Sequence, residues 1–351
     1  MTCFFAPDIY TFIVFRGVLG FASAGSYTIS LFLVKDISTQ ANVGLHFGIQ
    51  MAVSSSIGVF TDMIVSLFTA DHVFGWRGIY VLIGSLGVLL LLVFIFVIPE
   101  TQPYFALMRR RNEEKKGSSD SHPVAIEGED AIVNVPLVSP LYLFKYLFDK
   151  DLIVHYLLIT LLYGSLSVTS LGMATMIPEL YGVYSAPGPS FIAVVPLIGI
   201  VIGGWLSDKS FAAFPSSPSG RLVYLIPFIF IGFISSAIFG FSFGWTWDLP
   251  YGMYSATVMI LCFCLCLAAV VAYISEVHPD GNGPIALLNF NRFLASAILT
   301  SIVDLLVGDL GVVGIFGAIA LMGFLLSCIS TYQILNRTCK KASLVEHQAE
   351  Q

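Results

Sequence analysis

The chain has 351 residues, with 16 Lys+Arg and 22 Asp+Glu, so 11% are charged while 57% are hydrophobic; a soluble domain carries roughly 25% charge. A mean hydropathy of +0.88 and a net charge of −6 exclude an ordinary soluble enzyme, a disordered chain and a nucleic-acid binder. Long unbroken apolar runs exclude the alternating pattern of an outer-membrane barrel. What remains is an all-α membrane protein, because lipid offers no partner to an unpaired backbone group.

A helix needs about 20 apolar residues to cross the hydrocarbon layer. Taken in order, nine stretches qualify: 9–34, 43–70, 77–98, 151–176, 190–206, 222–244, 252–274, 285–307 and 312–335. If the face reached after the first span is cytoplasmic, every Lys and Arg except Arg16 and Arg77 falls on it, from Lys35 through Arg109–Arg111 to Arg337, Lys340 and Lys341. That asymmetry follows the positive-inside rule and supports the count of nine. The C-terminus is then cytoplasmic and the N-terminus lies on the other side. The first apolar run is too long for a signal-peptide core and has no basic segment before it.

One polar stretch interrupts the pattern. It divides the chain into an incomplete three-span N-terminal bundle (1–98), a cytoplasmic linker (99–150), a six-span C-terminal bundle (151–336) and a cytoplasmic tail (337–351). The centre of the linker, Arg109 to Asp130, is rich in Ser, Glu, Lys and Arg, as in a flexible segment. Apolar and aromatic residues return around Lys145, which suits a short interfacial helix.

Catalytic signatures are few. Gly240-Phe241-Ser242-Phe243-Gly244 matches G-x-S-x-G, but that string needs a strand-to-helix elbow, and here it ends a span, where Gly and Ser pack helices. Cys262, Cys264 and Cys266 alternate, so a helix turns Cys264 away from the other two, unlike a metal set. The chain is read as a non-enzyme with no cofactor and no metal.

Ionisable groups inside spans are more informative, because each costs about 2.5–3.5 kcal/mol at mid-membrane on insertion scales. Arg16, followed by Gly17 and Gly20, is either a cavity cation or a snorkelling structural residue. Asp62 is either a proton carrier, its carboxyl raised by desolvation, or a helix-packing acid. Asp304 lies closer to water, and His46 and His155 sit near span ends, where interfacial roles prevail. Tyr163 is polar on an otherwise apolar helix, and Asn289, Asn291 and Arg292 cluster at the cytoplasmic start of the eighth span. Gly199 and Gly203 have the spacing that permits close helix contact.

Four short motifs share one resemblance. Gly204-Trp205-Leu206-Ser207-Asp208-Lys209 resembles the G-x-L-x-D-[RK] loop of the major facilitator superfamily, and Arg16-Gly17-Val18-Leu19-Gly20 resembles the R-x-x-x-G of its fourth span. Gly75-Trp76-Arg77, with Pro99-Glu100-Thr101 after the next span, is similar to its sixth span; Pro279 to Arg292 is similar to the junction of its tenth and eleventh. The nearest branch is the fungal twelve-span drug:proton antiporters, including the quinidine-resistance and dityrosine exporters. On this resemblance the nine spans are the family's fourth to twelfth, and the first three are lacking.

The resemblance implies alternating access of two bundles around a midplane site. It implies proton-coupled export of a small amphipathic organic compound, driven by the proton gradient, by a monomer, with the plasma membrane favoured and a vacuolar or other internal membrane as the alternative. Arg16 would be the cavity cation and Asp62 the proton carrier. Gly204, Asp208 and Lys209 would form a gating loop, with Lys209 or Arg221 as counter-charge. The second span, Ser54 to Asp62, has no Pro, unlike the antiporter pattern, and a Pro- and Ser-containing insert precedes Arg221. The alternative is a truncated or degenerate chain without transport activity, or a regulatory membrane subunit.

Overall fold

A computed structural model describes residues 8–55, 75–97, 140–150, 152–181, 188–215, 217–277 and 282–349. Among the described residues the regular structure is helical throughout: α1 (Ile9–Ile37), α2 (43–55), α3 (Gly75–Val97), α4 (Ile153–Tyr181), α5 (Gly188–Ala213), α6 (Ile226–Gly244), α7 (Leu249–Val277) and a long run, Asn282–Ala349. That run is broken at Gly311 (φ 68°, ψ 168°) into α8 (282–310) and α9 (312–349). A side chain there would be strained by the positive φ, which glycine adopts freely. The break falls where the gap between the eighth and ninth apolar stretches was expected.

Seven of these helices are long and apolar enough to cross a membrane: Tyr10–Ile37, Ile153–Met173, Val194–Ala213, Pro218–Gly244, Leu249–Val277, Gly283–Val303 and Asp309–Cys339. They match the first, fourth to seventh, eighth and ninth expected spans. The third expected span is helical as α3. The second begins as α2, and the rest of it, with Asp62, lies outside the described residues. The short helix expected around Lys145 forms as a 3-10 turn, Pro140–Phe148.

The chain forms two compact units, one of residues 1–26 and 64–142, the other of 27–63 and 143–351. In the first, α1 begins on Asp8, whose carboxylate accepts the Thr11 N–H at 2.7 Å. The Thr11 side-chain and backbone hydrogen bonds hold the Asp8 carboxyl below the ordinary carboxylate range, so this cap is present at neutral pH and lost on acidification. Much of α3 presents aliphatic side chains outward, Leu89 to Leu92 among them, as lipid-facing helices do.

The second unit is organised around α7. Every residue from Cys262 to Ser275 is buried, which is how a helix apolar on all sides is accommodated. Its neighbours approach through glycine. A Cβ on Gly203 of α5 would run into the Leu265 carbonyl, and one on Gly199 would stand 3.0 Å from Cys264 Cβ. On the α6 side, a Cβ on Gly232 would collide with the edge of the Phe263 ring and lie 3.2 Å from Cys262 Cβ. Cys262 and Cys264 therefore pack against different helices.

The G-x-S-x-G string has a packing role. Gly240 and Gly244 admit Phe316 and Val313 of α9, and the Ser242 hydroxyl donates to the Phe239 carbonyl at 2.9 Å. Asn336-Arg337-Thr338 reads as a glycosylation acceptor, but it lies within α9: the Thr338 hydroxyl is buried, 2.8 Å from the Ile334 carbonyl and 3.0 Å from Ser219 Oγ. His155, expected near an interface, is buried, with its ring 4.8 Å from that of Tyr273.

The glycine contacts predict opposite effects for one substitution at two positions. Gly203→Ala forces backbone apart and lowers stability by about 1–3 kcal/mol. At Gly17 a Cβ would meet nothing within 4 Å among the described residues, so Gly17→Ala is neutral or stabilising by up to ~1 kcal/mol. Thermal midpoints of the detergent-purified variants check both directions.

Candidate functional site: two buried arginines

Polar side chains of the second unit gather in two places. The first lies where α2 begins. Asn42 and the turn before it leave the first N–H groups of α2 without intrahelical partners, as at every helix start. Asp208, on α5, takes two of them: Oδ1 accepts from Gly44 N at 2.9 Å and Oδ2 from Leu45 N at 2.7 Å. The helices can come that close because a Cβ on Gly204 would overlap the Gly44 carbonyl oxygen, and one on Gly44 would lie 2.7 Å from the Gly204 carbonyl. Gly48 continues the contact one turn on, where a Cβ would lie 2.8 Å from the Ile200 carbonyl. The loop-motif glycine and aspartate thus act together: one opens the approach, the other caps the arriving helix.

Arg221 completes this cluster. It is fully buried and rises from the 3-10 turn Pro218–Leu225. Its Nη1 donates to Asp208 Oδ1 at 2.7 Å, its Nε to Glu276 Oε2 at 2.8 Å, and its Nη2 to both Glu276 Oε1 and the Gln40 carbonyl. The guanidinium lies 4.3 Å from the Phe211 ring centre. A fork held side-on by one carboxylate and end-on by another is a strongly directional arrangement. Counting charges, Asp208 and Glu276 exceed Arg221 by one, and the amino end of α2, worth about +0.5, faces the excess. Lys209, the alternative counter-charge, is exposed, with its ammonium 5.8 Å from the Trp205 ring centre.

The second place is α8. Arg292 is 1% exposed, as buried as Arg221, yet it has no carboxylate partner among the described residues. Its Cζ lies 4.5 Å from the Tyr27 ring centre, 5.1 Å from Tyr163 and 4.8 Å from Phe293. The Phe293 ring meets Tyr27 and Tyr163 edge-on at 5.8 and 5.7 Å. Nε and Nη1 have no hydrogen-bond partner among the described residues. Asn289, one turn earlier, donates to Thr28 Oγ1 at 3.3 Å, and its Oδ1 has no partner among them either. Ser296, one turn later, meets Ser167 of α4 at 2.6 Å. Asn289, Arg292 and Ser296 fall on one helix face, which packs against the C-terminal half of α1 and against α4.

The energetics of the two arginines differ. Removing water from a cation costs several kcal/mol, which a carboxylate fork can offset. Each ring face returns only about 0.5–2 kcal/mol, and rings do not use in-plane N–H donors. Arg221 is neutralised, whereas Arg292 meets no carboxylate among the described residues.

Of the residues expected from sequence, Gly204, Asp208 and Arg221 come together, and so do Tyr163, Asn289 and Arg292. Asn291 is half-buried and takes no part in either cluster. Arg16 lies on α1, with its side chain outside the described residues, as is Asp304's. Glu276, Gln40, Tyr27 and Phe293 were not anticipated. Glu276 was open to detection as an acid at the very end of an apolar span, on the same side of the membrane as Asp208; the aromatic rings carried no signal in a chain that is 14% aromatic.

The chain matches the Major Facilitator Superfamily over residues 1–300. It belongs to that superfamily. It is 27% identical over 246 residues to the niacin transporter NiaP of Acinetobacter baylyi (strain ATCC 33305 / BD413 / ADP1), a match covering 68% of this chain and 53% of that protein. The chain therefore spans about half the length of this curated relative. Its fold is similar to that of the proton:xylose symporter XylE bound to 6-bromo-6-deoxy-D-glucose, with a TM-score of 0.61 and 14% identity, over 91% of this chain and 70% of that one.

The Arg221 cluster makes a quantitative prediction. Arg221→Met leaves two nearly buried carboxylates with no cation and costs about 3–5 kcal/mol. Asp208→Asn keeps the Glu276 fork and costs about 1–3 kcal/mol. In a double-mutant cycle the two changes are non-additive by at least ~0.5 kcal/mol; additive shifts in thermal midpoint would show that the pair is not coupled.

Proposed function

We propose that this chain carries a small organic solute across a membrane by alternating access, as a secondary transporter. The observation that carries this reading is the grip of Asp208 on the amino end of α2. It is a charged, reversible clasp between helices that the sequence assigns to different halves of the family's architecture. When formed it closes the end bearing Lys35, Lys145 and Arg337, which the positive-inside rule makes cytoplasmic. When released, Asp208 and the α2 N–H groups exchange each other for water, so opening costs far less than exposing apolar surface.

In this reading Asp208, Arg221 and Glu276 are the latch, Gly204 is its close-approach point, and Lys209 remains outside it. Tyr163, Asn289, Asn291 and Arg292 line the solute path, with Arg16 as a further cavity cation. Asp62 is the proton carrier of an exporter driven by the proton gradient, of the drug:proton antiporter type. The resemblance to a niacin transporter supports a small organic solute. The protein acts as a monomer, in the plasma membrane, with a cytoplasmic C-terminus. The second reading is a membrane subunit that does not itself transport a solute.

Transport assays in proteoliposomes separate these readings, using niacin and a panel of small amphipathic compounds under an imposed pH gradient. The wild-type chain moves at least one solute, faster with the gradient than without it. Asp62→Asn removes the gradient dependence, and an unchanged dependence sinks the proton-carrier role. Asp208→Asn slows turnover roughly tenfold, the effect of ~1.4 kcal/mol on a rate-limiting step. No movement of any solute by the wild-type chain would favour the non-transporting subunit.

A further inference from the structure

The two buried arginines pose one question with different answers. Arg221 and Arg292 are equally shielded from water, but only Arg221 meets carboxylates among the described residues. Arg292 is surrounded by the rings of Tyr27, Tyr163 and Phe293, with Nε and Nη1 unpartnered among the described residues. A cation in such a cage has its charge softened by ring quadrupoles, while its N–H donors still require an oxygen acceptor. A buried donor left unmatched is retained at a cost. Asn289 Oδ1, one turn away on the same helix face, is a buried acceptor in the same condition. Unmatched N–H donors on a buried cation, walled by aromatic rings, are the elements of a binding site for an acceptor group on a flat apolar body.

We propose that Arg292 is the anion-binding group of the solute path, and that the solute is a monoanionic carboxylate on a planar apolar body. This rests on the transport reading above and deepens it. One guanidinium neutralises one negative charge. Its planar donors match the two oxygens of a carboxylate better than a spherical ion. The flanking rings favour a flat apolar body by stacking or edge contact. The charge thus sits where a passing solute completes it, and the pairing forms and breaks in each cycle. Arg221 cannot serve in this way, since its donors are already engaged.

The test uses the purified full chain in detergent, with benzoate as the probe. Benzamide serves as its neutral isostere, acetate as the same charge without a ring, and sodium chloride as an ionic-strength control. The expected result is a saturable rise in melting temperature with benzoate, at concentrations at least tenfold below those needed for acetate, and no such rise with benzamide or chloride. Arg292→Gln weakens the benzoate response at least tenfold, and Arg292→Lys, which keeps the charge but loses the fork, weakens it less. The proposal is overturned if benzamide or chloride stabilises the wild-type protein as well as benzoate does. It is equally overturned if a monodisperse Arg292→Gln protein responds as wild type does. The comparison of benzoate with benzamide on wild-type protein decides the matter even where a variant fails to fold. A chain that moves neutral or cationic solutes in proteoliposomes while ignoring benzoate overturns the anion assignment and leaves transport standing. Benzoate binding with no solute movement keeps the assignment and removes the transport reading.

Discussion

A fully buried guanidinium shared between Asp208 and Glu276 leaves one negative charge in excess, and the amino end of α2 faces it. In a medium of low polarity an uncompensated charge is costly, and an oriented row of peptide N–H groups is an effective answer. This fixes much else. Helix α2 must start where it does, Gly204 and Gly44 must lack side chains so that the carboxylate can reach, and the 3-10 turn must deliver Arg221 from the far side. Hydroxyls hold that turn in place: Ser210 Oγ of α5 donates to the Gly220 carbonyl, and Ser217 pairs with Ser219. Here three charged side chains, Asp208, Arg221 and Glu276, satisfy one another.

At α8 the logic is reversed. Arg292 is retained in an equally dry place, but its surroundings are aromatic and its donors unmatched among the described residues. The two environments differ in kind, one a closed ionic cluster and the other a buried aromatic cage around a guanidinium.

Much of the architecture was legible because hydropathy is a strong signal in membranes. Helices α4 to α9 begin within a few residues of the apolar stretches that foretell them, although α9 runs on to Ala349, and the break at Gly311 lies in the one gap between the last two. The loop motif singled out Asp208 and left Lys209 or Arg221 as its neighbour in charge. The rest depends on tertiary closeness, which sequence does not carry. Glu276 lies far from Arg221 along the chain, and only the packing of α7 against the 3-10 turn joins them. Tyr27 and Phe293 were invisible among many aromatic residues. A Cβ on Gly17 or Gly20 would meet nothing within 4 Å among the described residues, since glycines permit contact without requiring it. By contrast Gly199 and Gly203 show the contact itself, against α7.

The meeting of α2 and α5 is main chain upon main chain, at Gly44, Gly48, Gly204 and the Ile200 carbonyl. Such a seam has almost no side-chain conformers to sort when it re-forms and little greasy bulk to hold it shut. Its grip is therefore short-ranged and concentrated in a few directional bonds at one end. On the alternating-access reading proposed above, two helices joined in this manner would part and re-seat as rigid rods, so the pace of the joint would be set by how fast the rods swing rather than by how fast an interior repacks.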